Sequence, residues 1–114
     1  MLTEKDYCDY ETCVALRELG FTLDMTEKVY ERNIMTNRYE TIPKPSLYDA
    51  QKWLREERGI NIFVMQIIIE GSNTHRYASY IQLGDKIWLC RYYSLYEEAL
   101  LEGIKEAVKI LKKE

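Results

Sequence analysis

The chain of 114 residues holds a single histidine, His75, within the stretch GSNTHR. One imidazole leaves one side chain that ordinarily titrates near neutrality, so no Ser–His–Asp or Cys–His set can be built without it. A lone histidine in a polar loop reads as a solvated surface residue. Cys8, Cys13 and Cys90 show no CxxC or other metal-ligand spacing. The five glycines never gather into a phosphate-cradling loop or a dinucleotide fingerprint. The longest apolar-rich run, 60–69, is about half of what a helix needs to span a bilayer. The beginning, MLTEKDYCDY, has neither the basic nor the apolar region of an export signal. Positive charge is not in excess: 16 Lys and Arg against 19 Asp and Glu give −3, a poor field for a phosphate backbone. These absences lead to the expectation of a cytoplasmic protein with reduced thiols, no membrane span, no cofactor and no metal. Nucleic acid is disfavoured as a partner. Glu56/Glu57 and Glu97/Glu98 are adjacent on helices, so each pair diverges around its axis. No catalytic constellation emerges, and the chain is not expected to be an enzyme.

What the chain does contain is the composition of a folded domain, 46% hydrophobic and 31% charged, at a length suited to one domain over 1–114. The expected class is α+β: a three-stranded antiparallel meander packed with helices, in the order α-(irregular)-α-β-β-β-α. A first helix is expected at about 4–19, capped by Thr3 with Asp6 and closed by Gly20. Residues 21–45 read as irregular, since Val29-Tyr30 and Ile34-Met35 fit short strands while the intervening charges fit a helical turn equally well. Pro43 and Pro45 bias their neighbours away from helix, and Ser46 caps a second helix at 47–58. The strand 60–69 is apolar at both odd and even positions, which predicts burial on both faces, by helices, a neighbouring molecule or both. Strands at 77–83 and 86–93 flank a Gly84-Asp85 turn. A last helix at 95–112 is capped by Ser94, as Ser46 caps the second, and Gly103 with Ala107 gives it a small-residue strip for close packing.

A two-residue turn at Gly84-Asp85 pairs Leu83 with Lys86, Ile81 with Trp88, Ser79 with Cys90 and Tyr77 with Tyr92. The opposite face then carries Ala78, Tyr80 and Gln82 beside Ile87, Leu89, Arg91 and Tyr93. Among ten tyrosines, this places Tyr80 and Tyr93 around Arg91 as the candidate binding surface. Three readings stay open for it: tyrosines packed under helices with hydroxyls at the rim, a protein interface, or a platform for stacking bases. Trp53 and Arg55 at the second helix end are a solvated end or a further anchor.

Two segments, PKPSLYDAQKWLRE at Pro43–Glu56 and YEEALLEGIKEA at Tyr96–Ala107, resemble a family of small proteins from bacteriophages and prophage-like elements of bacteria. Gly20-Phe21 fits the same pattern. The resemblance implies a genomic setting; its motifs are caps and core positions, and they carry no activity. The expected function is that of a non-enzymatic accessory protein acting through protein contacts, with a homodimer as one form. A nucleic-acid-associated protein using the Tyr/Arg face is the alternative. An enzyme would need a deep pocket near His75 or Cys90.

Overall fold

A computed structural model describes residues 2–26, 28–35, 38–68, 71 and 75–113, the side chains of 32–39 excepted. The class is α+β, as expected. Within it the chain forms two compact units, Met1–Ala50 and Gln51–Glu114. No helix among the described residues is long and apolar enough to cross a membrane.

The first unit opens on a 3-10 turn, Glu4–Asp6. The Asp6 carboxylate accepts the Thr3 N–H at 2.7 Å and the Thr3 hydroxyl at 3.2 Å. This is the expected capping pair, but it closes one short turn and not the helix expected at 4–19. A second cap competes six residues on. Asp9 accepts the Thr12 N–H at 2.9 Å and starts α1, Tyr10–Glu18. Tyr7 and Cys8 are thereby left extended: Tyr7 bridges to Ser46, and the Cys8 N–H donates to the Pro45 carbonyl at 3.0 Å. Gly20 ends α1 as expected. At φ +115° it lets Phe21 N–H reach the Leu16 carbonyl and its own N–H reach that of Arg17, each at 3.0 Å.

The segment expected to be irregular is mostly a hairpin. After a 3-10 turn at Leu23–Met25, β1 (Val29–Met35) pairs antiparallel with β2 (Arg38–Pro43), from Val29 opposite Pro43 to Met35 opposite Arg38. Tyr30, Tyr39, Thr41 and Ile42 supply the strand preference, but the charged residues among them fit helix as well, so no period stands out. α1 packs on β2, with Arg17 paired to Glu40 and the Tyr10 ring edge-on to Tyr30, centroids 5.7 Å apart.

α2 spans Leu47–Arg58, the expected residues, and its Asp49 N–H donates to the Ser46 hydroxyl at 3.0 Å. Leu47, Ala50 and Leu54 are buried.

In the second unit β3 (Ile60–Ile68), β4 (His75–Leu83) and β5 (Lys86–Tyr93) form the expected meander in that spatial order. Ile69, the expected end of the first of these strands, and 72–74 of the following loop lie outside the described residues. α3 (Tyr96–Lys112) lies on one sheet face and buries Leu100, Gly103, Ile104, Ala107, Val108 and Leu111. Its expected cap is corrected. The N-cap is Leu95, with no side-chain hydrogen bond, and Ser94 sits one residue too early to reach the first turn. The small-residue strip does what was expected, since a Cβ on Gly103 would lie 2.7 Å from Ile62 Cγ2 and 3.1 Å from Ser79 Cβ.

Within the single chain, helices bury β3 on one face only. Ile60 and Ile62 are buried, whereas Phe63 and Met65 on the far face are 50% and 48% exposed. One helix covers one face of a sheet, and α3 is already spent on the other.

Candidate functional site

The register of β5 against β4 decides which side chains share a surface. Leu83 faces Lys86 and Ile81 faces Trp88, as a two-residue turn requires, and Tyr80 faces Leu89. The next pairs are Ala78 with Tyr92 and Tyr77 with Tyr93. Ser79 therefore opposes two residues, Cys90 and Arg91. This is a β-bulge, and it corrects the expected pairs Ser79–Cys90 and Tyr77–Tyr92.

Directly paired residues share a face, so the extra residue reverses the sidedness of the end of β5. Ser79 lies against Gly103 of α3, and the Tyr77 ring meets the Tyr96 ring of α3 edge-on at 5.9 Å. Tyr93, opposite Tyr77, is thus on the α3 side. Tyr92, opposite Ala78, moves to the open side, where it is 57% exposed. The three residues expected to form one surface are divided. Tyr80 is on the open face, Tyr93 is on the helix face, and Arg91 sits at the bulge. A stacking platform made of all three does not exist as a single surface.

Arg91 and Tyr93 do meet, in a groove of about 410 Å³ between β5 and α3 that Trp88, Cys90, Glu102 and Glu106 also line. Burial pushes the Tyr93 hydroxyl up, with Glu102 adding and Arg91 opposing. Burial likewise pushes the Cys90 thiol up, while Ser79 eases it down and Glu106 and Glu102 add to the rise. Both groups stay protonated at neutral pH, so the groove presents no activated nucleophile. Glu102 and Glu106 pair along α3 with Lys105 at 3.6 Å and Lys109 at 3.8 Å. Cys90 thus borders a groove, whereas His75 is exposed and its Nδ1 lies 3.0 Å from Gln66 Nε2. Among the described residues, no group of three or more His, Cys, Asp or Glu is placed to hold a metal ion.

The open face is different in kind. Phe63 and Met65 of β3, Tyr80 and Gln82 of β4, and Ile87 of β5 line a shallow depression of about 470 Å³. Ile87 and Leu89 are 67% and 59% exposed, and the face continues through Tyr92. Side chains from three consecutive strands form the depression, and none of those lining it carries a charge. The alternation of β4 and β5 predicted Tyr80, Gln82, Ile87 and Leu89 for this face. Phe63 and Met65 were missed because an apolar strand looks buried wherever it lies. Tyr92 was missed because no residue pattern announces the bulge.

No family model, no curated protein and no solved structure matches this chain.

Proposed function

We propose that this chain is a non-enzymatic accessory protein of the phage or prophage type, acting in the cytoplasm by protein–protein contact, and that its contact surface is the open face of the β3–β5 sheet. The observation that carries the reading is the uncharged surface formed by Phe63, Met65, Tyr80, Ile87, Leu89 and Tyr92, of which all but Tyr80 are exposed. Large apolar patches on a folded protein mark interaction sites, and aromatic residues with Met are enriched at interface centres. The partner favoured is a second copy, because an uncharged patch meets its own image without like-charge repulsion, with Arg76 beyond it at the start of β4. With roughly half of each side chain available, the face offers on the order of 500 Å² per copy, about 1,000 Å² in all. That is at the lower bound of specific interfaces and fits a dimer of about micromolar affinity.

Size-exclusion chromatography with light scattering from about 1 to 100 µM tests it across that affinity range. The expected result is a concentration-dependent dimer that Leu89→Lys reduces to a monomer. A wild-type chain that stays monomeric throughout this range overturns self-association. A Leu89→Lys chain as dimeric as wild type overturns the choice of face.

A further inference from the structure

Two cysteines stand close together in the first unit. Asp9 is the N-cap of α1, so Cys8 stands immediately before the cap and Cys13 at the fourth helical position. A hydrophobic staple brings these two positions together to fix how the chain enters a helix. Here both are cysteine. Cys8 is 1% exposed and Cys13 is fully buried, and both are free. The Cys13 thiol donates to the Cys8 carbonyl oxygen at 3.6 Å, which seats the Cys13 sulfur against the Cys8 backbone.

We propose that Cys8 and Cys13 are a redox pair, which a hydroperoxide converts into an intramolecular disulfide. As folded, Cys8 is protonated: its hydrogen bond to Cys13 and its burial hold the thiol well up, and the Asp9 and Asp49 carboxylates add to this. Reaction therefore begins from a local opening. Cys8 lies outside the helix, and the turn before it, Glu4–Asp6, buries none of its residues. Its backbone is held by the N–H bond to Pro45, by the Tyr30 hydroxyl and the Cys13 thiol, which donate to its carbonyl at 3.3 and 3.6 Å, and by the neighbouring bridge of Tyr7 to Ser46. These contacts all hold residues ahead of the α1 cap at Asp9, so their release opens Cys8 while the backbone bonds within α1 stay in place.

In the opened form the Cys8 thiolate attacks the distal peroxide oxygen. An S–O bond forms, the O–O bond breaks, and the departing hydroxide or alkoxide takes up a proton. The product is the Cys8 sulfenic acid. When the segment closes, the Cys13 sulfur attacks the Cys8 sulfur. The S–S bond forms, the S–O bond breaks, and water leaves with the Cys13 proton. Two thiols lose two electrons in total, and one peroxide gains them.

Trypsin makes the test direct, because it cuts after Lys5 and Arg17 and releases both cysteines in one peptide, 6–17. The native full-length chain is treated with hydrogen peroxide, quenched, alkylated and digested. The expected peptide is two hydrogens lighter than the reduced form and carries no alkyl group. Treatment with dithiothreitol before alkylation restores two alkylation sites. A peptide that carries two alkyl groups, under peroxide that already oxidises Cys90, overturns the proposal. So does Cys8 found as sulfinic or sulfonic acid with Cys13 still alkylated. In a Cys13→Ser chain of native circular dichroism, Cys8 is expected to stop at a sulfenic acid that dimedone traps. If that variant does not fold, the wild-type peptide decides alone.

Discussion

Gly103 of α3 faces Ile62 of β3 so closely that the space of one methyl group is missing between them: a Cβ there would sit 2.7 Å from Ile62 Cγ2. Helix preference alone favours alanine over glycine at an interior position by about 1 kcal/mol. Here the branched side chain of a strand residue occupies that space, and Ser79 closes the other side at 3.1 Å. Gly103→Ala is therefore expected to destabilise the second unit by about 1–3 kcal/mol, the usual cost of overpacking. Urea denaturation measures it. In an Ile62→Ala background the same change should cost less or stabilise, because the obstructing Cγ2 is gone. Equal costs in the two backgrounds would show that the contact is not the cause.

The two serines that precede α2 and α3 should part company under mutation. Ser46 accepts a hydrogen bond from the Asp49 N–H, and Ser46→Ala should cost about 1 kcal/mol. Ser94 stands outside the N-cap of α3, so Ser94→Ala should stay within about 0.5 kcal/mol of wild type. The same denaturation assay compares them, and equal losses would return Ser94 to a capping role.

The bulge makes its own prediction. Tyr92→Ala should weaken self-association, since Tyr92 is on the open face, while Tyr93→Ala should leave it unchanged. An unbulged strand would give the reverse. Sedimentation equilibrium of the two variants at one concentration distinguishes these outcomes.

Stability should decline on the alkaline side. Cys8 holds its proton through its bond to Cys13 and through burial, while Cys90, Tyr30 and Tyr93 are raised mainly by burial. Lys44 is raised as well, chiefly by Glu4. Each group binds its proton more tightly folded than unfolded. The contribution is thus complete below the unfolded value and is lost as pH rises through the folded one. Free thiols titrate near about 8.5 and tyrosine near about 10, so the urea midpoint should fall progressively above about pH 8.5. A midpoint that rises between pH 8.5 and 11 would contradict the assignment.

The parts of this fold that were legible in the residues are those governed by local rules. Ser46 and Gly59 bracket α2, Gly84-Asp85 fixes the first pairs of β4 with β5, and the stripe from Leu100 to Leu111 marks the buried side of α3. The parts that were not legible depend on competition between distant segments. Thr3 and Asp9 are both good caps, and the choice falls to Asp9 because Tyr7 and Cys8 find partners at Ser46 and Pro45, far away in the chain. The hairpin of β1 and β2 is hidden for a related reason, since its charges suit a helix until the opposite strand is present. The candidate surface was half legible. Alternation placed Tyr80, Ile87 and Leu89 together, but a single extra residue on β5 between Leu89 and Tyr92 exchanged the tyrosines beyond it.

That inserted residue also bears on how far any assembly can grow. Both outer strands of a three-stranded sheet present backbone groups to which further strands can add, and an unbroken row of them is the template for open-ended fibres. On β5 the row is broken at Cys90 and Arg91, where the bulge twists the edge out of line. On β3 the Gln51 side chain donates to the Ile62 carbonyl at 2.7 Å and takes up one of the acceptors. Among the described residues the row is thus interrupted on β5 at the bulge and on β3 at the Ile62 carbonyl, two features that work against open-ended strand addition.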